Sequence, residues 1–206
     1  MSKLMHAGAE QPLTVGIILL AAGASSRMGQ SKQLLKINNE TLLLHSIHCA
    51  VAAGSHRTVV VLGANEEAHR KVIEHAGIDI IINKDWATGI GSSIKAGLKY
   101  LVAQAPSLDA AIIMVCDQPH VTSDFLKRII QSHIESSKSI VASKYAEVLG
   151  VPALFHKIYF SALLSLPNDR GAKKIIGQHV PDTLAIDFPE GSIDLDTMED
   201  YQQFIK

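Results

Sequence analysis

Cysteine is nearly absent: the 206 residues hold two, Cys49 and Cys116, too few and too far apart for a Cys-x-x-Cys zinc pair or a secreted disulfide framework. A reducing, cytoplasmic setting is the expectation. Neither sign of charge is in excess, since 19 Lys and Arg against 20 Asp and Glu give a formal net charge of -1, so no broad positive field exists to hold a nucleic-acid polyanion. Long apolar runs are missing too. Residues 15–24, the longest candidate, fall well short of the ~18 uncharged residues a membrane helix needs and contain glycine. Residues 1–12 lack the apolar stretch of a signal peptide. Neither a nucleic acid nor a membrane is expected as a partner. There is no internal repeat, low-complexity segment or linker. With 47% hydrophobic and 19% charged residues the chain can bury a sizeable core. Residues 14–206 are therefore read as a single domain behind a tail formed by residues 1–13.

What is present is an alternation of strands and helices. Residues 15–22 form a continuous apolar run ending in a turn-rich segment at 23–29, as a strand buried on both faces does when it opens into a loop. Thr41 caps a helix with Leu43, Leu44, Ile47, Ala50 and Val51 on one face and Gly54 past its end. Residues 58–62 read as a β-branched strand, 66–76 as a charged surface helix closed by Gly77, and 78–82 as another short strand. A helix at 94–103 precedes a central strand at 110–116, seven apolar residues bounded by Asp109 and Asp117. Thr122 caps a helix that presents Phe125, Leu126, Ile129, Ile130 and Ile134, and 139–143 add a strand. Beyond Lys144 the pattern weakens to a Gly-Val-Pro segment, short helices at 157–164 and 171–176, and a last helix from Thr197. Such alternation predicts an α/β fold with a mostly parallel sheet and helices on both faces.

In such a sheet the ligand lies beyond the carboxyl ends of the strands. After the first strand comes LAAGASSRMGQSK, residues 20–32, where glycines let backbone amides approach an anion, Ser25 and Ser26 add donors, and Arg27 and Lys32 supply charge. It reads as a phosphate cradle, although neither GxxxxGK[ST] nor GxGxxG is present. The plain alternative is an ordinary Gly/Ser turn with solvated cations. Asp117, after the central strand, places a carboxylate suited to Mg²⁺ at the same edge, or else starts an Asx turn before Pro119. Asp194 and Asp196, two residues apart, project to one side of an extended segment and complete a metal site with Asp117, or Asp196 and Thr197 cap the last helix; the two roles are compatible. Gly89, Gly91, Ser92 and Ser93 permit close backbone contact with a base or phosphate at a helix start. The lone tryptophan, Trp86, is read as a packed anchor before a stacking platform. None of the ten histidines is assigned a role, and Cys116 is read as an inert core thiol.

Taken in order, LAAGASSRMGQSKQLL, NKDWATGIGSSI, VCDQPHVT, GVPALF, DRGAKKII and DLDTMEDY resemble the molybdenum cofactor nucleotidyltransferases, nearest their cytidylyltransferase branch. The resemblance implies a Rossmann-like, three-layer α/β/α nucleotidyltransferase fold that joins CTP to the phosphate of molybdenum-molybdopterin and releases pyrophosphate. Carried over by position, Leu20, Ala21, Ala22, Gly23, Arg27 and Lys32 bind nucleotide, joined by Gly89 and Ser92. Arg27, Lys32 and Asp117 are the expected catalytic residues, and Asp117, Asp194 and Asp196 the ligands of Mg²⁺, with Mn²⁺ an alternative. Ala22 stands where guanylyltransferase relatives usually carry a second glycine, which tips the base toward cytosine. A recipient molybdoenzyme or its chaperone is the implied protein partner. Two departures stand out: Met198 replaces the proline of the family's usual Asp-Thr-Pro-Glu-Asp, and residues 145–149, before Gly150-Val151-Pro152, lack a glycine that relatives often have.

Overall fold

Every side chain of strand β1 (Val15–Ala21) is buried, and its alternating residues feed two separate cores. Ile17, Leu19 and Ala21 pack with Leu43 and Ile47 of helix α1 (Leu42–Ala52) and with Leu126 and Ile129 of α4 (Ser123–Glu135). Ile18 and Leu20 pack with Ile94, Leu98 and Leu101 of α3 (Ile90–Gln104) on the opposite face. This period of two makes β1 the middle of a three-layer α/β/α sandwich. The computed structural model describes residues 13–26, 28–37 and 39–205; of the expected tail, all but Leu13 falls outside them.

The sheet has seven strands in the order β5 (Asp79–Ile82), β4 (Arg57–Leu62), β1, β6 (Ala110–Val115), β8 (Val148–His156), β7 (Ile140–Tyr145), β9 (Thr183–Asp187). Within this sheet, among the described residues, only the β6–β8 and β7–β8 ladders are antiparallel, so the sheet is mostly parallel. After β1 the chain moves outward through α1, β4, α2 (Glu66–Ile73) and β5, then returns by α3 to β6 on the other flank of β1. That reversal is the topological switch point at which open α/β sheets bind ligands, and it lies at the carboxyl ends of β1 and β6. α3 sits flat on the sheet because Gly97 has no side chain: an added Cβ would lie 2.5 Å from Ile18 Cγ2 and 3.1 Å from Val61 Cγ2.

The expected elements up to residue 143 appear with bounds shifted by a few residues. Thr41 and Thr122 each cap a helix, their hydroxyls accepting the amides of Leu44 and Phe125. Two strands of the seven-stranded sheet, and the short β2–β3 pair outside it, go beyond the sequence expectation. β8 contains Gly150 and Pro152, residues that normally argue against a central strand, and the ladder tolerates them where its register shifts opposite Ala142 and Ser143. β9 is an edge strand with no fully buried side chain, so it lacks the apolar run that marks the others. A two-residue pair, β2 (Lys36–Ile37) and β3 (Glu40–Thr41), precedes α1; α5 (Phe160–Leu164) and α6 (Lys173–Gln178) join α3 on its face. α7 (Met198–Phe204) closes the described chain, its Tyr201 hydroxyl donating to the Lys36 carbonyl at 2.8 Å.

Candidate active site

The loop leaving β1 is shaped by a buried amide. Gln33, in a 3-10 turn at Lys32–Leu34, is 1% exposed, and its Nε2 donates to the carbonyls of Ala21 (3.2 Å) and Gly23 (2.9 Å). Its Oε1 accepts from the hydroxyls of Ser25 (3.1 Å) and Ser31 (2.7 Å). Ser25 Oγ in turn accepts the Lys32 amide at 3.1 Å, while Ser25 itself has φ +53°, in the left-handed region. One side chain thus stitches both ends of the loop together and fixes where Lys32 begins.

Lys32 points across the switch point. Its Nζ donates to Asp117 Oδ2 at 2.5 Å and to Asp196 Oδ1 at 3.1 Å. Asp117 follows Cys116, whose amide donates to the Leu20 carbonyl at 3.2 Å, and the Leu195 amide donates to the Asp117 carbonyl at 3.0 Å, which brings the C-terminal segment to the same edge. Thr197 and Asp200 form a reciprocal capping box at the start of α7 that holds the segment's far end. Burial works against the Lys32 charge, but the two carboxylates outweigh it and its pKa is raised, so the side chain is a fixed cation. Asp194 shows the opposite stress. Although solvent still reaches it, the protein around it, followed by the charges of Asp117 and Asp196, pushes its pKa up to about 6.

The carboxylate oxygens of Asp117, Asp194 and Asp196 are all-oxygen donors of a kind that fits a hard divalent cation. Among the described residues, however, no three His, Cys, Asp or Glu side chains converge on one point, and Lys32 stands between Asp117 and Asp196.

Residues 20–23, Lys32, Gln33, Trp86, Ile90, Ser93 and residues 115–117 line one cleft of about 190 Å³. Leu20, Ala21, Ala22, Gly23, Lys32 and Asp117 are therefore gathered as a group; Arg27 lies outside the described residues. Gly89 and Ser92 do not line this cleft. Ser92 Oγ sits between the carbonyls of Gly89 (2.7 Å) and Asp85 (3.0 Å) and accepts from Asn83 Nδ2 at 2.8 Å, so it braces the turn. Gly89 backs onto the main chain of Asn168 and Asp169, where a Cβ has no room. Their neighbours Ile90 and Ser93 face the cleft instead. Trp86 is both anchor and wall: it lies against Gly63, where an added Cβ would be 2.6 Å from Trp86 Cβ, and its side chain lines the cleft. Cys116 is buried and its thiol is pushed up to about 12 by burial, as an inert thiol should be. Sequence reasoning missed Gln33, which no periodicity marks, and His69, whose signal was its place one turn before Ile73 on the inward side of a charged helix.

A switch-point cleft floored by a small-residue loop and closed by a lysine held between carboxylates is the architecture of an α/β nucleotide-binding enzyme. The chain belongs to the MobA-like NTP transferase domain family, whose model matches residues 17–183. It is 28% identical to the molybdenum cofactor cytidylyltransferase of Escherichia coli (strain K12) over 91% of this chain and 93% of that protein. A molybdenum cofactor guanylyltransferase of Vibrio parahaemolyticus also matches at 28%, over 94% and 96%. The nicotine blue oxidoreductase of Paenarthrobacter nicotinovorans is 35% identical, over 59% of this chain and only 58% of its own length. Among solved structures, Rv0371c of Mycobacterium tuberculosis in complex with manganese superposes with a TM-score of 0.76 at 28% identity, covering 92% of this chain and 97% of that one.

Proposed function

We propose that the chain transfers CMP from CTP to the phosphate of molybdenum-molybdopterin, giving molybdopterin cytosine dinucleotide and pyrophosphate. The observation that carries this reading is Lys32, held as a permanent cation at the mouth of the loop that follows β1. The likeness to the E. coli cytidylyltransferase over nearly the whole length of both chains supports the acceptor, and Ala22 in the cleft supports cytosine over guanine.

The chemistry needs no general base. A phosphate monoester has its second pKa near ~6 and is largely dianionic at pH 7. An oxygen of the acceptor phosphate forms a bond to the α-phosphorus of CTP while the bond from that phosphorus to the bridging oxygen breaks, and the electron pair leaves with pyrophosphate. Backbone groups of residues 20–23 position the triphosphate, and Lys32, with Arg27, stabilises charge developing on the leaving group. Asp117, with Asp194 or Asp196, would hold Mg²⁺ or Mn²⁺, which when bound neutralises phosphate charge; the relative solved with manganese supports divalent metal use. Trp86 and Ile90 wall the cleft.

The test is pyrophosphate release by the purified protein with Mg²⁺, comparing CTP, GTP and ATP, each with and without molybdenum-loaded molybdopterin. Release that requires both CTP and the pterin is expected. A GTP requirement would overturn the base assignment. CTP binding without release would favour a different phosphorylated acceptor or a non-catalytic carrier.

A further inference from the structure

His69 is fully buried in α2, where it shares the inward side with Ile73 while most of the helix's other residues are exposed. Its Nε2 lies 2.5 Å from Ser31 Oγ, and its Nδ1 has no hydrogen-bond partner. The protons in this corner follow from the backbone. The carbonyls of Ala21 and Gly23 can only accept, so Gln33 must turn its amide nitrogen to them and its carbonyl oxygen to Ser25 and Ser31. That oxygen also can only accept, so Ser31 directs its single proton there. The bond between Ser31 and His69 then requires His69 to donate from Nε2, which leaves the ring's lone pair on Nδ1, the atom without a partner. Burial holds the ring's pKa below the ordinary histidine value, in keeping with a neutral imidazole at pH 7.

We propose that His69 is a positioning residue that holds the loop after β1 in its binding shape by donating from Nε2 to Ser31. The chain of contacts is continuous. Ser31 and Ser25 share Gln33 Oε1, and Ser25 carries the Lys32 amide. Ser25 keeps its left-handed φ of +53° only while its surroundings impose it, and α2 supplies part of that constraint from outside β1. Without the imidazole donor, Ser31 can swing toward solvent, Gln33 Oε1 loses an aligned partner, and Lys32 is no longer set against Asp117.

The inference rests on the nucleotide-binding reading given above, and the experiment separates the two. Dissociation constants for CTP and GTP with Mg²⁺ are measured by calorimetric titration for wild type, His69→Phe, His69→Gln, Ser31→Ala and the His69→Phe/Ser31→Ala double variant, with thermal unfolding of each. A wild type that binds neither nucleotide overturns the functional reading and this inference with it. Where wild type binds, His69→Phe is expected to weaken binding about tenfold, a fraction of the ~100-fold that a 1 Å misplacement can cost. His69→Gln keeps an N–H donor near the Nε2 position and is expected to stay within about twofold of wild type. The double variant should bind no worse than Ser31→Ala alone, because both substitutions break one link. Unchanged affinity in His69→Phe, or losses that multiply in the double variant, would overturn the proposal while leaving the function standing. A His69→Gln that weakens binding as much as Ser31→Ala would assign His69 to packing alone, and this comparison decides the matter should His69→Phe fail to fold.

Discussion

Replacing Gln33 by Leu keeps the side chain's approximate size and removes all four of its hydrogen bonds. The bond to the Ala21 carbonyl is buried, whereas the other three are partly exposed, so their former partners can turn to water. A buried carbonyl left without its partner costs roughly 1–3 kcal/mol, and each half-exposed bond contributes about 0.5 kcal/mol at the low end of the usual range. Burial of the leucine methyls returns about 1 kcal/mol. The net loss expected is about 1.5–3.5 kcal/mol. Urea unfolding followed by circular dichroism would register it as a shift of the midpoint by about 0.5 M or more. The site should suffer beyond this, because Ser25 loses the acceptor that holds its left-handed conformation and the Lys32 amide loses its fixed partner. Nucleotide affinity should therefore fall at least ~10-fold at temperatures where the variant is fully folded. Gly97→Ala is the control, since its cost of ~1–3 kcal/mol arises where α3 meets Ile18, on the packed face of the sheet. A Gln33→Leu protein that unfolds with the wild-type midpoint, or that binds nucleotide as the Gly97→Ala control does, would refute the account of the loop.

Lys32→Ala and Asp117→Asn should fold and yet lower turnover at least ~100-fold in the pyrophosphate-release assay, the range for removing an electrostatic stabiliser; near wild-type rates in both would remove this site from consideration. Gly63→Ala should impair nucleotide binding as well as stability, since the new Cβ would lie 2.6 Å from Trp86 Cβ and 2.8 Å from the Ala22 carbonyl, two walls of one cleft, and unchanged titration isotherms would count against it. His69 and His133 both have pKa values lowered chiefly by burial, so below the ordinary value of 6.5 the unfolded chain binds protons that the folded chain refuses, and stability falls as pH falls through that value by at most ~1.4 kcal/mol per unit for each group. Asp194, with its raised pKa, works the other way below about pH 6, so the comparison to make is wild type against His69→Gln between pH 7.5 and 6: a drop that is as steep in the variant would exonerate His69.

The parts of this molecule legible in its sequence are those with a local cause. β1 and β6 are buried on both faces and appear as unbroken apolar runs. Thr41 and Thr122 announce their helices because the capping oxygen lies three residues from the amide it accepts. That the small-residue loop and Asp117 lie together is legible because each follows a strand whose carboxyl end meets the switch point. What stayed hidden is what distance in sequence hides. Lys32 and Asp196 are 164 positions apart, and nothing local to either shows that they share a hydrogen bond. Gln33 and His69 look like solvated polar residues until the fold buries them against each other's partners. Gly89 and Ser92 show the same limit from the other side, since a Gly/Ser-rich helix start suits close approach of any backbone, and here the protein's own segment around Asn168 makes that approach.

This contrast bears on how the site is held. The cation that faces the proposed triphosphate comes from the loop after β1, its first carboxylate from the end of β6, and its second from the segment before α7. None of the three elements fixes the geometry alone. The loop is held by Gln33 and, through Ser31, by α2; the C-terminal segment is held by the Leu195 amide on Asp117 and by the Thr197–Asp200 box. Gln33 lines the cleft, whereas His69 and the Thr197–Asp200 box do not, so substitutions in the latter two are expected to change the spacing of Lys32 and its carboxylates without altering a group that lines the cleft. Asp194 is raised to about 6, first by burial and then by the charges of Asp117 and Asp196, and a cation held there as proposed would favour its ionised form. Nucleotide and metal are thus expected to tighten each other's binding: the cation screens carboxylates that repel the triphosphate, and the triphosphate adds oxygens that the three carboxylates, unconverged around Lys32, do not supply to the metal by themselves.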